Sequence, residues 1–310
     1  MALSWNQLWQ TIEVMDPRRD SGLQVFGLRW QAMSTLRYLT LDEAMAAGNL
    51  DVAEVSESGS VPELRVLNKS KLMTLLMAGE QLVGAKQNRV LNVSLMVPAG
   101  TEISVPVSCV EAGRWSYRSP KFASGGTMSH GILRKLMSRH SHRNYRRSGM
   151  PSSEQGEVWR EVARKLDAMG SVSPSQAFDQ VYQDHSSRLD DLMKRLVAPD
   201  GCQGAAFAIS GTITGADLFD QVATLDKLWP KLIRSYALDA LELKPEEKAG
   251  DVDRPGLERW VRGAALAPRE PFKSPGAGQD IRFETPQLAG SALVVEDQPV
   301  HVELFARSAG

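Results

Sequence analysis

Cysteine is scarce: Cys109 and Cys202 lie far apart in 310 residues, with no C-x-x-C pair. A disulfide framework and a zinc knuckle are therefore excluded, and two lone thiols fit a reducing compartment, so a cytoplasmic location is expected. The five histidines include His140 and His142 but no third ligand at a telling spacing, so no metal is expected, and no cofactor either. No apolar run approaches the roughly 18–20 residues of a membrane span, and the N-terminus lacks a basic start followed by an apolar block. Charge of either sign is not in excess. A formal net charge of −1 supplies no global attraction to nucleic acid or to an acidic membrane. The familiar site motifs are missing too: there is no Walker loop, G-x-G-x-x-G, G-x-S-x-G or H-E-x-x-H.

What remains is a chain with 42% hydrophobic and 24% charged residues, enough to bury a sizeable core. Residues 1–21 read as a helical arm. Residues 22–119 are β-rich, with "GLQVFGLRW" and "PELRVLN" alternating between Gly, Asn, Ser and Pro breaks, the spacing of an antiparallel sandwich or barrel. One short helix interrupts them at "TLDEAMAAGNL", capped by Thr40 and closed by Gly48. Residues 120–152 carry little periodicity and read as a basic loop. From 153 to 310 helices are expected over 153–170, 174–197 and 223–243, the last kinked or split by Pro230. Hairpins are expected at 204–219, turning at Ser210-Gly211, and at 290–305, turning near Asp297. The fold expected is α+β, with the later region packed on the β-rich part.

The densest chemistry lies in "RVLNVSLMVPAGTEISVPVSCVEAGRW". Apolar residues at 91, 93, 95 and 97 and at 103, 105 and 107 alternate with Asn and Ser about a turn containing Pro98 and Gly100, which reads as a β-hairpin. Matching the apolar faces sets Leu91 opposite Cys109 and Arg89 opposite Glu111. Cys109 then projects from the apolar face as a packed thiol. The rim gathers Gln87, Asn88, Arg89, Glu111, Arg114 and Trp115. Two readings stand: an ion pair that finishes the hairpin, or a pocket mouth. In the second, guanidiniums and amides hold a phosphate or carboxylate, Trp115 stacks on a ring, and Glu111 orients an arginine or acts as a base. Asn68 and Glu80 fall at strand ends near the same hairpin, Glu80 as a turn carboxylate or as a second acid beside Glu111. His301 is expected to be partly exposed, and Trp159 and Trp229 to lie in the core. The run "LRKLMSRHSHRNYRRS" (133–148) is the one hint of nucleic acid. As a solvated loop with Tyr145 its only aromatic it argues against a single-strand platform.

Three blocks, "GEQLVGAKQNRVLNVSLMVPAGTEISVPVSCVEAGRW", "QGEVWREVARKL" and "GAAFAISGTITGADLFDQVATLDKLWPKLIRSYALDAL", resemble a bacterial family in that order: the ADP-ribosylglycohydrolase and rhodanese-phosphatase associated domain. The resemblance spans about 22–305 and rests on Gly79, Glu80, Gly84, Gln87, Asn88, Arg89, Cys109, Glu111, Arg114 and Trp115. It implies a role linked to ADP-ribose or NAD metabolism and assigns no catalytic residue. The function expected is recognition, with or without hydrolysis, of an ADP-ribose-, NAD- or nucleotide-like ligand at the rim. The alternative is a non-catalytic protein-interaction or structural module.

Overall fold

The computed structural model describes residues 5–31, 34–56, 62–247 and 249–307. The chain is α+β, and its strands pair antiparallel except Tyr38–Thr40 with Met73–Leu76, which run parallel. It divides into two compact units that do not follow chain order. The first takes 1–35, 188–273 and 278–310, and the second takes 36–187 and 274–277. The β-rich stretch read over 22–119 is therefore shared: Leu23–Arg29 joins the first unit and later strands form the second.

The first unit is built on a nine-stranded sheet. Its centre is two hairpins side by side, Gly204–Ile209 with Thr212–Phe219 and Leu288–Val295 with Gln298–Ala306. Both turns need two successive positive φ values, supplied by Ser210 and Gly211 (48° and 77°) and by Glu296 and Asp297 (50° and 59°). Such two-residue turns match the twist of the strands they join. One face buries Phe26, Ala206, Leu218, Phe283, Val302 and Leu304. Trp9, on the short helix Trp5–Gln10, joins that core with no exposed surface. The N-terminal arm is thus corrected: after one and a half turns the chain becomes strands Glu13–Val14 and Arg18–Asp20, both paired to Leu23–Arg29. Residues 1–4 lie outside the described residues. Helix Val222–Glu242 runs through Pro230 without splitting. Pro230 and Asp226 are both exposed, so the hydrogen bond that proline removes lies on the wet side, where water replaces it.

The expectation for His301 also fails. It is buried, with Nε2 3.1 Å from Asp217 Oδ1, and Tyr236 donates to Asp217 Oδ2 at 3.2 Å. Asp217, Glu303, Ser291 and Arg282 form one cross-strand row, so a sheet face that alternation alone would label solvent-facing is covered.

The second unit holds a six-stranded sheet and a three-stranded sheet. Leu41–Ala46 is the capped helix, with a capping box between Thr40 and Glu43. The expected hairpin of 89–97 with 103–109 does not form as one ladder. Arg89–Leu91 pairs with Cys109–Val107, but Glu102–Pro106 pairs with Glu63–Leu67, and Leu95–Val97 pairs with Met73–Leu76. The break lies at Asn92–Ser94. There Asn92 Oδ1 accepts from Ser108 Oγ at 2.8 Å and Ser94 Oγ accepts from the Ala78 N–H at 2.9 Å.

The basic loop is the largest correction. Phe122–Met128 is a strand and Gly131–Ser148 a helix, ended by Gly149 at φ 73°. Its buried stripe holds Leu133, Met137 and Tyr145 but also His140, Ser141 and Asn144, which dilute the apolar period. Two of these polar residues are bonded: His140 Nε2 lies 2.9 Å from Glu157, its Nδ1 accepts the Glu154 N–H, and Asn144 donates to the Ser152 carbonyl. The next helix is Gln155–Ala168, with Glu154 at its N-cap; Trp229 is buried as expected, but Trp159, also expected in the core, is 37% exposed. The single helix expected over 174–197 is two, Asp179–Asp184 and Ser186–Arg195, separated at His185. Among the described residues no helix is long and apolar enough to cross a membrane, and no group of three or more His, Cys, Asp or Glu is placed to hold a metal ion.

Candidate functional site

Six of the eight expected site residues converge at one end of the six-stranded sheet, but with partners other than those expected. The register of the central pair is two residues from the one read from the sequence: Arg89 stands opposite Cys109, not Glu111. Parity is preserved, so Cys109 still faces inward. Arg89 has no exposed surface and donates to Gln87 Oε1 (3.4 Å), Glu54 Oε1 (3.5 Å) and Cys109 Sγ. The expected Arg89–Glu111 pair is therefore replaced by Arg89–Glu54, brought in by strand Leu50–Glu54 across the sheet. Burial, eased in part by the Arg89 charge, pushes the Cys109 thiol up to about 11, so it is un-ionised near neutrality and inert as a nucleophile.

Glu111 binds the arginine three residues on. Its Oε2 accepts from Arg114 Nη2 at 2.6 Å and from the Asn88 N–H at 3.0 Å; its Oε1 accepts from Arg114 Nε at 2.9 Å and Ser175 Oγ at 2.7 Å. Burial works to raise its pKa. The bonds from Arg114, Ser175 and Asn88, with the Arg114 charge, outweigh burial and hold it below the usual carboxylate range. A carboxylate with every lone pair engaged and a lowered pKa is an anchor for Arg114, not a poised base.

Arg114 is equally occupied. Beyond the fork to Glu111 it donates to the carbonyls of Ala85 (2.6 Å), Ser116 (2.9 Å) and Gly84 (3.3 Å) and to Asn88 Oδ1 (3.3 Å). These bonds stitch the turn Gly84–Asn88 to the end of the neighbouring strand. Ala85 sits there at φ 39°, and a Cβ on Gly84 (φ 117°) would lie 2.5 Å from Ser119 Oγ.

The remaining two lie elsewhere. Asn68 donates to the carbonyls of Leu72, Val97 and Pro98, holding backbone together. Glu80 is buried and accepts the Met77 N–H at 2.8 Å, a turn carboxylate. Neither lines the cavity at the sheet end, where among the described lining residues the acid is Asp179.

That cavity, of about 390 Å³, is lined by Asn88 and Arg114 from the expected rim, by Arg118 just beyond it, and by a segment far along the chain: Ser173 to Ser175, Ala177, Asp179, Gln180 and Gln183. The two edges are joined by backbone. Gly113 donates to the Ser175 carbonyl at 2.8 Å, a Cβ on Gly113 would lie 3.0 Å from Ser175, and Glu111 bridges Ala177. Sequence reasoning passed over these residues because "SVSPSQAF" resembles any polar connector; Ser and Gln are informative only once Glu111 is seen to bond Ser175. Among the described residues the Arg118 side chain has no ion-pair partner, and it is exposed.

Neither Trp115 nor Tyr117 lines the cavity; in the loop between its lining residues Arg114 and Arg118 the two rings stay in solvent, at 49% and 52% exposure. Lys86 Nζ lies 5.2 Å from the Trp115 ring centre and 5.1 Å from that of Tyr117, and the buried Arg89 guanidinium lies 5.7 Å from Trp115.

The model of ARPP-1, the ARG and Rhodanese-Phosphatase-superfamily-associated Protein domain, matches residues 11–305. The chain belongs to this family. No curated protein and no solved structure matches it. The matched span contains the whole sheet end and the cavity, and leaves out helix Trp5–Gln10 of the first unit.

Proposed function

We propose that the sheet end recognises a small ligand that joins a planar ring to an anionic group, of the nucleotide, NAD or ADP-ribose kind. The observation that carries this reading is the pairing of solvent-exposed rings at Trp115 and Tyr117 with a polar cavity that holds the unpaired Arg118. A ring stacks on Trp115. Arg118 receives the anion in bidentate form, and the amides of Asn88, Gln180 and Gln183 complete the hydrogen bonding. Glu111 and Arg114 hold the turn in place. The reading is one of recognition: of the acids named from sequence, neither Glu111 nor Glu80 opens on the cavity, and the acid that does is Asp179, which accepts from Gln183 at 2.5 Å.

The second reading is a non-catalytic interaction module. Half-exposed Trp and Tyr rings that share Lys86 as a neighbour also suit a protein contact.

Thermal shift with ADP-ribose, NAD and AMP tests the first reading. Wild type should be stabilised by at least one of them, and Trp115→Ala and Arg118→Ala should each remove the shift while keeping the unliganded melting temperature. No shift in wild type, or an undiminished shift in both variants, removes the ligand reading and leaves the module.

A further inference from the structure

The helix Gly131–Ser148 turns its apolar and hydrogen-bonded side inward through Leu133, Met137, His140, Ser141 and Tyr145. The opposite side exposes Arg139, Arg143, Arg146 and Arg147, with Lys135 half-buried on the same face. Lys135, Arg139, Arg143 and Arg147 are successive i, i+4 neighbours, about 6 Å apart along the axis, and span about 18 Å. Like charges at this spacing oppose helix formation by a few tenths of a kcal/mol per pair. Three such pairs in series, in a chain of net charge −1, mark a face whose composition is not explained by helix stability. The helix C-terminus favours Arg146 and Arg147 but does not reach Arg139. Arg143 meets Glu154 at 3.3 Å, and Glu157 is engaged with His140 and Arg160, whereas Arg139 and Arg147 have no ion-pair partner among the described residues.

We infer that this face binds the phosphodiester backbone of a double-stranded nucleic acid without reading its sequence. Four of the five cations are arginine, whose planar fork matches a phosphate in bidentate form. A line of them at regular intervals fits a repeating anion better than the scattered carboxylates of a protein surface. The face presents no aromatic ring, since Tyr145 is buried, so bases have no platform and duplex backbone is favoured over single strands. Membrane insertion needs an apolar side free to enter lipid, and here that side is in the core. Ile132 and Met150, both exposed, stand only at the two ends of the helix.

The test is fluorescence anisotropy of the full chain with a labelled 20-base-pair DNA duplex and an RNA duplex of the same length, titrated at several salt concentrations. Four phosphate contacts give a log–log salt slope of about −3.6, and the double variant Arg139→Gln/Arg147→Gln should flatten it by about 1.8 and weaken binding at low salt by about tenfold or more. Both substitutions are on exposed side chains, and a melting curve confirms that the variant is folded. The inference is overturned if wild type binds neither duplex at low salt, if the variant binds as tightly as wild type, or if vesicles of phosphatidylserine capture the protein while both duplexes fail to.

Discussion

Within the eight residues 111–118, two arginines four residues apart meet opposite fates. Arg114 is nearly buried, with every N–H donor engaged by Glu111, Asn88 or a backbone carbonyl. Arg118, four residues on, uses its backbone N–H to bond Ala85 and leaves its guanidinium in solvent at the cavity. Trp115 lies between them in sequence and is half exposed. The residue types alone do not separate scaffold from recognition surface. Donor count and burial do: a guanidinium with no donor left holds the chain together, and one with all its donors free is available to a partner.

That contrast breaks first at Glu111. Glu111→Ala should destabilise the protein by about 3–5 kcal/mol, because it strands the Arg114 charge and the Asn88 N–H, whereas Trp115→Ala should cost less than about 1 kcal/mol. Chemical denaturation of both variants measures the difference, and equal losses would erase the distinction between anchor and surface.

Acid should sharpen it. Glu111 has a folded pKa below the ordinary 4.5 and Glu161, bonded by His130 and Arg164 against the effect of its burial, is held at about 2. Their stabilisation is complete above pH 4.5 and is lost as pH falls through the folded values. His140 adds to this from higher pH. Burial keeps its pKa below 6.5 despite Glu157, so its protonation on acidification also opposes the fold. Melting temperature should therefore decline from about pH 6.5 downward and steepen below 4.5, and Glu111→Gln should lessen the lower part of that decline. A flat profile between pH 7 and 4 would contradict the lowered values.

Thiol chemistry separates interior from surface by rate. Cys109 and Cys202 are both buried and both raised, so neither should react with a thiol reagent at pH 8 until denaturant is added; rapid labelling of the native chain at Cys109 would show that the sheet end opens.

The smallest effect is on the basic helix. Arg139→Gln removes two like-charged neighbours and should raise stability by about 0.5 kcal/mol, even as it weakens binding to a duplex. A loss of stability on this change would mean that Arg139 holds the fold, and the comparison of idle with occupied arginines would lose one of its cases.

Much of the local structure was legible. The capping box at Thr40 and Glu43, the Gly-containing turn at Ser210-Gly211 and the inward face of Cys109 each depend on neighbours a few residues away, so short-range chemistry is enough. The gathering of Gln87 to Arg89 with Glu111 to Trp115 was legible for a related reason: period-two alternation fixes parity, and parity survives a slip of two residues. The slip itself was not legible. It depends on Asn92 bonding Ser108 and Ser94 bonding Ala78, contacts that end one ladder and hand its partner strand to residues 63–67.

Taken alone, the amino-acid order determined alternation, caps, turns and the absence of spans and metal motifs, because those follow from steric preference and hydropathy within one element. Only tertiary structure decided which acid meets which arginine, that 133–148 is a helix with a polar buried stripe, and that 173–183 closes one side of the cavity. Those outcomes depend on long-range hydrogen bonds that satisfy buried charges, and a buried polar group is stable only where a distant partner arrives to meet it.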